Sequence, residues 1–167
     1  MMFQADFIVR NIDLNWADIL WGYRHQMIGW RVPIEIAKSR IMKPPFDTLE
    51  TQLANVGKDQ DWSVDEIVET LALRNPTLED QSPRRWMFLT LLWLYENKDH
   101  IENVFGALEE VYADFDYPEE ICSFAPIHPW ENGYDPSAHT TEENQKRWLR
   151  NWKEYLNTTR LGIHGTS

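Results

Sequence analysis

From Ile101 to Tyr112 the large apolar residues Ile101, Val104, Phe105, Leu108, Val111 and Tyr112 fall at i, i+3, i+4, i+7, i+10 and i+11. A period of 3.6 residues gathers such a set on one side of the backbone, whereas a strand, with period 2, would scatter it over both faces. The spacing predicts an amphipathic α-helix, opened by a capping box of Asp99 and Glu102. The same period recurs along most of the chain. Trp16, Ile19, Leu20, Tyr23 and Met27 follow an Asn15 cap and run toward Gly29. Pro33 fits the first turn of a helix bearing Ile34, Ile36, Ala37 and Ile41, which Pro44 and Pro45 stop. A short helix is expected over 48–56. Ser63 and Glu66 read as a capping box ahead of Ile67, Val68, Leu71 and Ala72, with Asn75-Pro76 as the stop.

Ser82-Pro83 opens a helix that is apolar on nearly every side from Trp86 to Leu94, the pattern of a helix buried all round. Asp116-Tyr117-Pro118-Glu119 reads as another helix start. Residues 125–140, with Pro126, Pro129, Gly133 and Pro136, read as an ordered aromatic loop. Thr140 or Thr141, with Glu143 as its capping partner, begins a last helix that buries Trp148, Leu149, Trp152, Tyr155 and Leu156 and exposes Lys146, Arg147, Arg150 and Lys153. Phe3–Val9 has some strand character, but a lone strand has no pairing partner. The expected fold is all-α, a single-domain bundle of six to eight helices over residues 1–157, with a flexible tail at 158–167.

A chain of 167 residues with 43% hydrophobic and 26% charged residues has a globular composition and can bury a core. Cys122 is its only cysteine. An internal disulfide is therefore impossible, and a cysteine metal site or redox pair is disfavoured. This suits a reducing compartment. The longest apolar run, Trp86–Tyr95, is about half of the roughly twenty residues a membrane span needs. No secretory core is recognisable near the N-terminus. The expected location is cytoplasmic, with no membrane partner.

Charge is distributed unevenly. Residues 96–143 hold thirteen acidic residues and one basic residue, Lys98, for a net charge of −12, against −11 for the whole chain. Residues 144–167 carry +4. A field this asymmetric attracts and orients a basic partner. It also opposes direct nucleic-acid binding, which depends on Lys and Arg displacing counterions from phosphates. Asp99 and Glu102 have a structural explanation at a helix start. Glu109 and Glu110 do not, because the helix dipole disfavours anions near a C-terminus.

Signals for catalysis are weak. The seven glycines are scattered, with no phosphate-binding loop, nucleophile elbow or zinc-helix spacing of histidines. His25 with Glu35 is a candidate acid–base pair. His128, Asp135 and His139 are candidate ligands of a loop metal, and Asp114 with Asp116 of a hard cation. In each case the ordinary alternative is a solvated or backbone-bonded side chain. Cys122 has no nearby histidine, and a buried structural thiol is its default reading. No cofactor is expected.

Three stretches, NWADILWGYRHQMIGW at 15–30, YADFDYPEEICSF at 112–124 and YDPSAHTTEENQKRWLRNWKEYL at 134–156, resemble a bacterial family of small acidic helical proteins. Members of that family are encoded beside polymorphic and contact-dependent growth-inhibition toxins and are regarded as immunity proteins. The resemblance implies a non-catalytic inhibitor of a cognate basic toxin domain, with a nuclease as the expected toxin class. Together with the charge, it makes Glu102, Glu109, Glu110, Asp114, Asp116, Glu119 and Glu120 the expected contact ridge. Tyr117, Trp130 and Tyr134 are the expected aromatic anchors beside it. The alternatives are a small metal- or His-dependent enzyme and a generic acidic interaction module.

Overall fold

The computed structural model describes residues 1–75, 78–126 and 133–164. Among the described residues the chain is all-α, with eight α-helices and no strand. The helices are α1 (Ala5–Asn11), α2 (Trp16–Arg24), α3 (Arg31–Arg40), α4 (Thr48–Ala54), α5 (Ser63–Ala72), α6 (Gln81–Glu96), α7 (Val104–Asp114) and α8 (Thr141–His164). Backbone contacts divide the chain into two units, Met1–Trp86 and Met87–Ser167. Among the described residues no helix is long and apolar enough to cross a membrane.

In the first unit α2 packs on α5 and α3 on α4. Ile19, Leu53, Val64, Val68 and Leu71 are buried there. Asn15 caps α2 reciprocally: its Oδ1 accepts from the Asp18 amide at 2.8 Å, and Asp18 Oδ2 accepts from the Asn15 amide at 3.0 Å. Asp18 is fully buried. Its carboxylate also accepts from Ser82 Oγ at 2.7 Å and from the Arg85 guanidinium, both on the first turns of α6. The Trp86 indole donates to the Asp18 carbonyl at 2.8 Å. Gly22 makes room for that indole, since a Cβ there would lie within 2.9 Å of three Trp86 ring atoms. A second anchor is Arg40, whose guanidinium lies 4.7 Å from the Trp16 ring centroid while Trp16 Nε1 donates to Glu50 at 2.8 Å.

Residues Trp86 to Leu92 of α6 are buried without a break, as the all-round apolar pattern requires. In the second unit Phe124 and Trp152 stack at 6.1 Å, and Tyr95 meets Trp152 edge-on at 5.2 Å. Phe105 of α7 lies 5.3 Å from Trp148 of α8. The start of α8 is the expected capping box: the Thr140 amide donates to Glu143 at 2.9 Å, and the Glu143 amide donates to Thr140 Oγ1 at 3.1 Å.

Several local expectations are corrected. Phe3–Val9 is not a strand: α1 covers most of it and buries Ala5 and Ile8, with Ile12 four residues on, a helical spacing. α2 ends at Arg24 rather than near Gly29, because Gln26 turns the chain with φ of 59°. Ser63 is not a cap. It is the first helical residue, and its Oγ donates back to the Gln60 carbonyl at 2.7 Å. Asp99 and Glu102 do not open α7 either. Residues Lys98–His100 form a 3₁₀ turn, and Asn103 caps the helix by accepting from the Gly106 amide at 3.0 Å. Asp116 and Tyr117 have φ of 62° and 54°, which excludes a helix start there, and only a 3₁₀ turn follows at Glu119–Ile121. α8 continues beyond residue 157 to His164. The expected stop at Pro76 lies outside the described residues.

Candidate partner-binding surface

The core side of α7 is formed by Leu108, Val111 and Tyr112. Helical geometry then sends Gly106, Glu110 and Asp114, at i, i+4 and i+8, along the opposite side. Glu110 and Asp114 are exposed and Glu109 is half-buried. Among the described residues none of Glu102, Glu109, Glu110, Asp114, Asp116 and Glu119 takes part in an ion pair. Asp114 is the last residue of α7 and Asp116 lies two residues beyond. The carbonyl end of a helix carries about half a negative charge, so anions there oppose the dipole at roughly 0.3–1 kcal/mol each. The first turn of α7, where anions would be favoured, has none.

The backbone after α7 displays the next acidic residues outward. The Asp116 amide donates to the Ala113 carbonyl at 3.1 Å, and the Tyr117 amide donates to the Tyr112 carbonyl at 2.8 Å. These bonds hold the two left-handed residues in place. Aspartate tolerates that conformation, whereas for tyrosine it is strained. Tyr117 is 58% exposed, and its ring meets Tyr112 edge-on at 5.2 Å. Glu119 and Glu120 follow on the 3₁₀ turn, both exposed. Glu109, Glu110, Asp114, Asp116, Tyr117, Glu119 and Glu120 thus follow one another along α7 and the turn after it. Glu102 is exposed two residues ahead of the helix.

Tyr134 packs on the start of α8. Its hydroxyl donates to Asn144 Oδ1, the Arg147 guanidinium lies 4.0 Å from its ring centroid, and the His139 imidazole stacks on it at 4.7 Å. These contacts tie Tyr134 to the first turns of α8. Trp130 and His128 lie outside the described residues. His139 Nδ1 is 3.4 Å from Glu143. The Thr140 amide holds the Glu143 carboxyl below the ordinary range, with the His139 charge assisting. Hydrogen bonds from Ser137 do the same to Asp135.

The candidate acid–base histidine lies against α2. His25 stacks on Trp21 at 3.7 Å, and its Nδ1 lies 2.8 Å from the Trp21 carbonyl; among the described residues no carboxylate pairs with it. Among the described residues no group of three His, Cys, Asp or Glu side chains is placed to hold a metal ion. Cys122 is buried, with its thiol donating to the Glu119 carbonyl at 2.7 Å. Sequence reasoning missed Asn103, although an Asn directly ahead of an apolar helical run is a recognisable cap signal.

Residues 5–160 match the model of a family described as "Uncharacterized protein conserved in bacteria (DUF2247)", and the chain belongs to that family. No curated protein and no solved structure matches it significantly.

Proposed function

We propose that this chain is an immunity protein that binds and neutralises a cognate bacterial toxin without catalysis. α7 and the turn after it are the contact surface, and a nuclease is the toxin class. The observation carrying this reading is that exposed Glu110 and Asp114, with half-buried Glu109, stand in the second half of α7, where they do not stabilise their own helix, and form no ion pair among the described residues. A nuclease presents Lys and Arg where phosphates bind. Carboxylates offered at that surface block it by occupying the place of the substrate. Electrostatic steering speeds the encounter, and close charge pairs slow dissociation. The resemblance at 15–30, 112–124 and 134–156 to immunity proteins of toxin systems supports the same reading.

The test is co-expression with the product of the neighbouring gene, scored by co-purification and by rescue of growth. A stable complex whose affinity falls with salt, and falls further in Glu109→Lys/Glu110→Lys, is the expected result. Failure to rescue growth or to co-purify with a neighbouring toxin would remove this function. A complex indifferent to those two reversals would remove the placement of the surface.

A further inference from the structure

The second unit also displays a basic face. On α8, Lys146, Arg150 and Lys153 are exposed and spaced by four and three residues, which puts them on one stripe away from buried Asn144, Trp152 and Leu156. Among the described residues Arg150 and Lys153 form no ion pair, and Lys146 pairs only with Glu142 of its own helix, at 3.2 Å. Fully hydrated i,i+4 pairs of that kind hold a side chain weakly. The stripe is therefore an unpartnered helix face with available positive charge.

We propose that this face docks on the acidic outer face of α7 in a second copy of the chain. The two faces match in sign and in repeat. Glu110 and Asp114 are four residues apart, as are Lys146 and Arg150, so both pairs repeat at about 6 Å along their helix axes. α7 and α8 lie in one unit and touch through Phe105 and Trp148, so each copy carries both faces. A two-fold axis sets α7 of each copy on α8 of the other, giving a closed, self-complementary pair. The net charge of −11 opposes this association. At physiological ionic strength that repulsion is screened over about 8 Å, whereas contacting charges are screened less. The result is a reversible dimer favoured at moderate salt and dissociated at high salt. It uses the same carboxylates as the proposed toxin contact, so capture of a partner and self-pairing exclude each other. The inference itself needs no toxin.

Sedimentation velocity on the full chain tests it. The mass is expected to rise with concentration from 19.9 kDa toward twice that value and to return to the monomer at high salt. Arg150→Glu/Lys153→Glu makes both faces acidic, and Glu110→Lys/Asp114→Lys makes both basic. Each variant is expected to weaken self-association by about tenfold or more. An equimolar mixture of the two is expected to form a heterodimer, because both junctions are then complementary. All four positions are exposed, and circular dichroism checks that each variant is folded. A wild-type chain that stays monomeric at moderate salt, a dimer unaffected by either variant, or a mixture that fails to pair would overturn the proposal.

Discussion

Replacing Asp18 by Asn tests the buried polar cluster that joins α2 to the first turns of α6. The side chain keeps its shape and one acceptor, but loses its charge and turns an amide nitrogen toward neighbouring donors. Asp18 has no exposed surface and the Arg85 side chain is 19% exposed, so the guanidinium cannot fully rehydrate when its partner is neutralised. Removing one member of a buried pair costs about 3–5 kcal/mol. Two features place this case at the lower end: the guanidinium is partly exposed, and the Gln81 amide oxygen, turned toward it, accepts at 2.5 and 2.8 Å. The expected loss is therefore about 3 kcal/mol, which for a chain of this size lowers Tm by roughly 6–12 °C. Urea titration of Asp18→Asn, Arg85→Met and the double variant forms the assay. The double variant is expected to lose about 1 kcal/mol or more less than the sum of the singles, because neither leaves the other's charge stranded. A loss below about 1 kcal/mol for Asp18→Asn, or simple additivity in the cycle, would refute the reasoning.

Two glycines give opposite expectations by the same measurement. Gly22→Ala drives a methyl into the buried, hydrogen-bonded Trp86 ring and is expected to cost about 2 kcal/mol or more, outweighing the helix-propensity gain of Ala. Gly106→Ala meets only the end of the Asn103 side chain, so a weakened cap offsets the propensity gain and stability changes by about 1 kcal/mol or less. The shifted carboxyls set the acid response. Asp47, through the Glu50 amide and then Arg74, joins Asp135 and Glu143 in lying below the ordinary carboxyl range. The folded chain thus binds fewer protons there than the unfolded one, so this stabilisation is complete above the ordinary range and is lost as pH falls below it, through the lowered folded-state values. Acid titration of Glu143→Gln, which removes one of these titrating carboxyls, is expected to show a smaller pH dependence than wild type. Glu109→Lys/Glu110→Lys is expected to leave urea stability within about 0.5 kcal/mol or raise it, since cations suit the second half of α7.

Long-period information was legible in the sequence and short-range geometry was not. The α7 stripe, the buried α6 and the Thr140–Glu143 box all follow from residue spacing, because a helix converts spacing directly into a face. The missed starts at Ser63 and Asn103 follow from a different rule. Several side chains near a helix end can each satisfy an open amide, and which one does so depends on where the preceding turn leaves the backbone. The Lys98–His100 turn consumed the segment assigned to the first coil of α7, and this moved the cap four residues on. The short α1 was ambiguous because Phe3 to Val9 suits either period, and what decides is the absence, among the described residues, of a strand to pair with. Asp18 was invisible as a hub because Ser82 and Arg85 lie more than sixty residues away. Nor does any sequence pattern announce a tyrosine held in left-handed backbone at position 117.

The two units use acidic residues differently, and the contrast bears on what the surface is for. In the first unit arginines reach across elements to carboxylates: Arg24 to Asp65 and Glu69, Arg40 to Asp13 and Glu50, Arg74 to Asp47, and Arg85 to Asp18. Those pairs join residues from different parts of the chain. In the second unit Lys98 pairs with Asp99, His139 with Glu143 and Lys146 with Glu142, each within four positions of its partner. The α7 carboxylates take part in none of them. Solubility alone needs net charge and is indifferent to where on a helix it sits. The first turn of α7 would take anions at a gain, yet they stand in its second half and beyond its end, where the dipole and the Glu110–Asp114 spacing both count against them. Each penalty is a few tenths of a kcal/mol to about 1 kcal/mol, small enough to be tolerated and too consistent in sign to serve folding. A positively charged surface brought against α7 reverses every one of these terms at once, because each carboxylate then gains the counter-charge that the fold withholds.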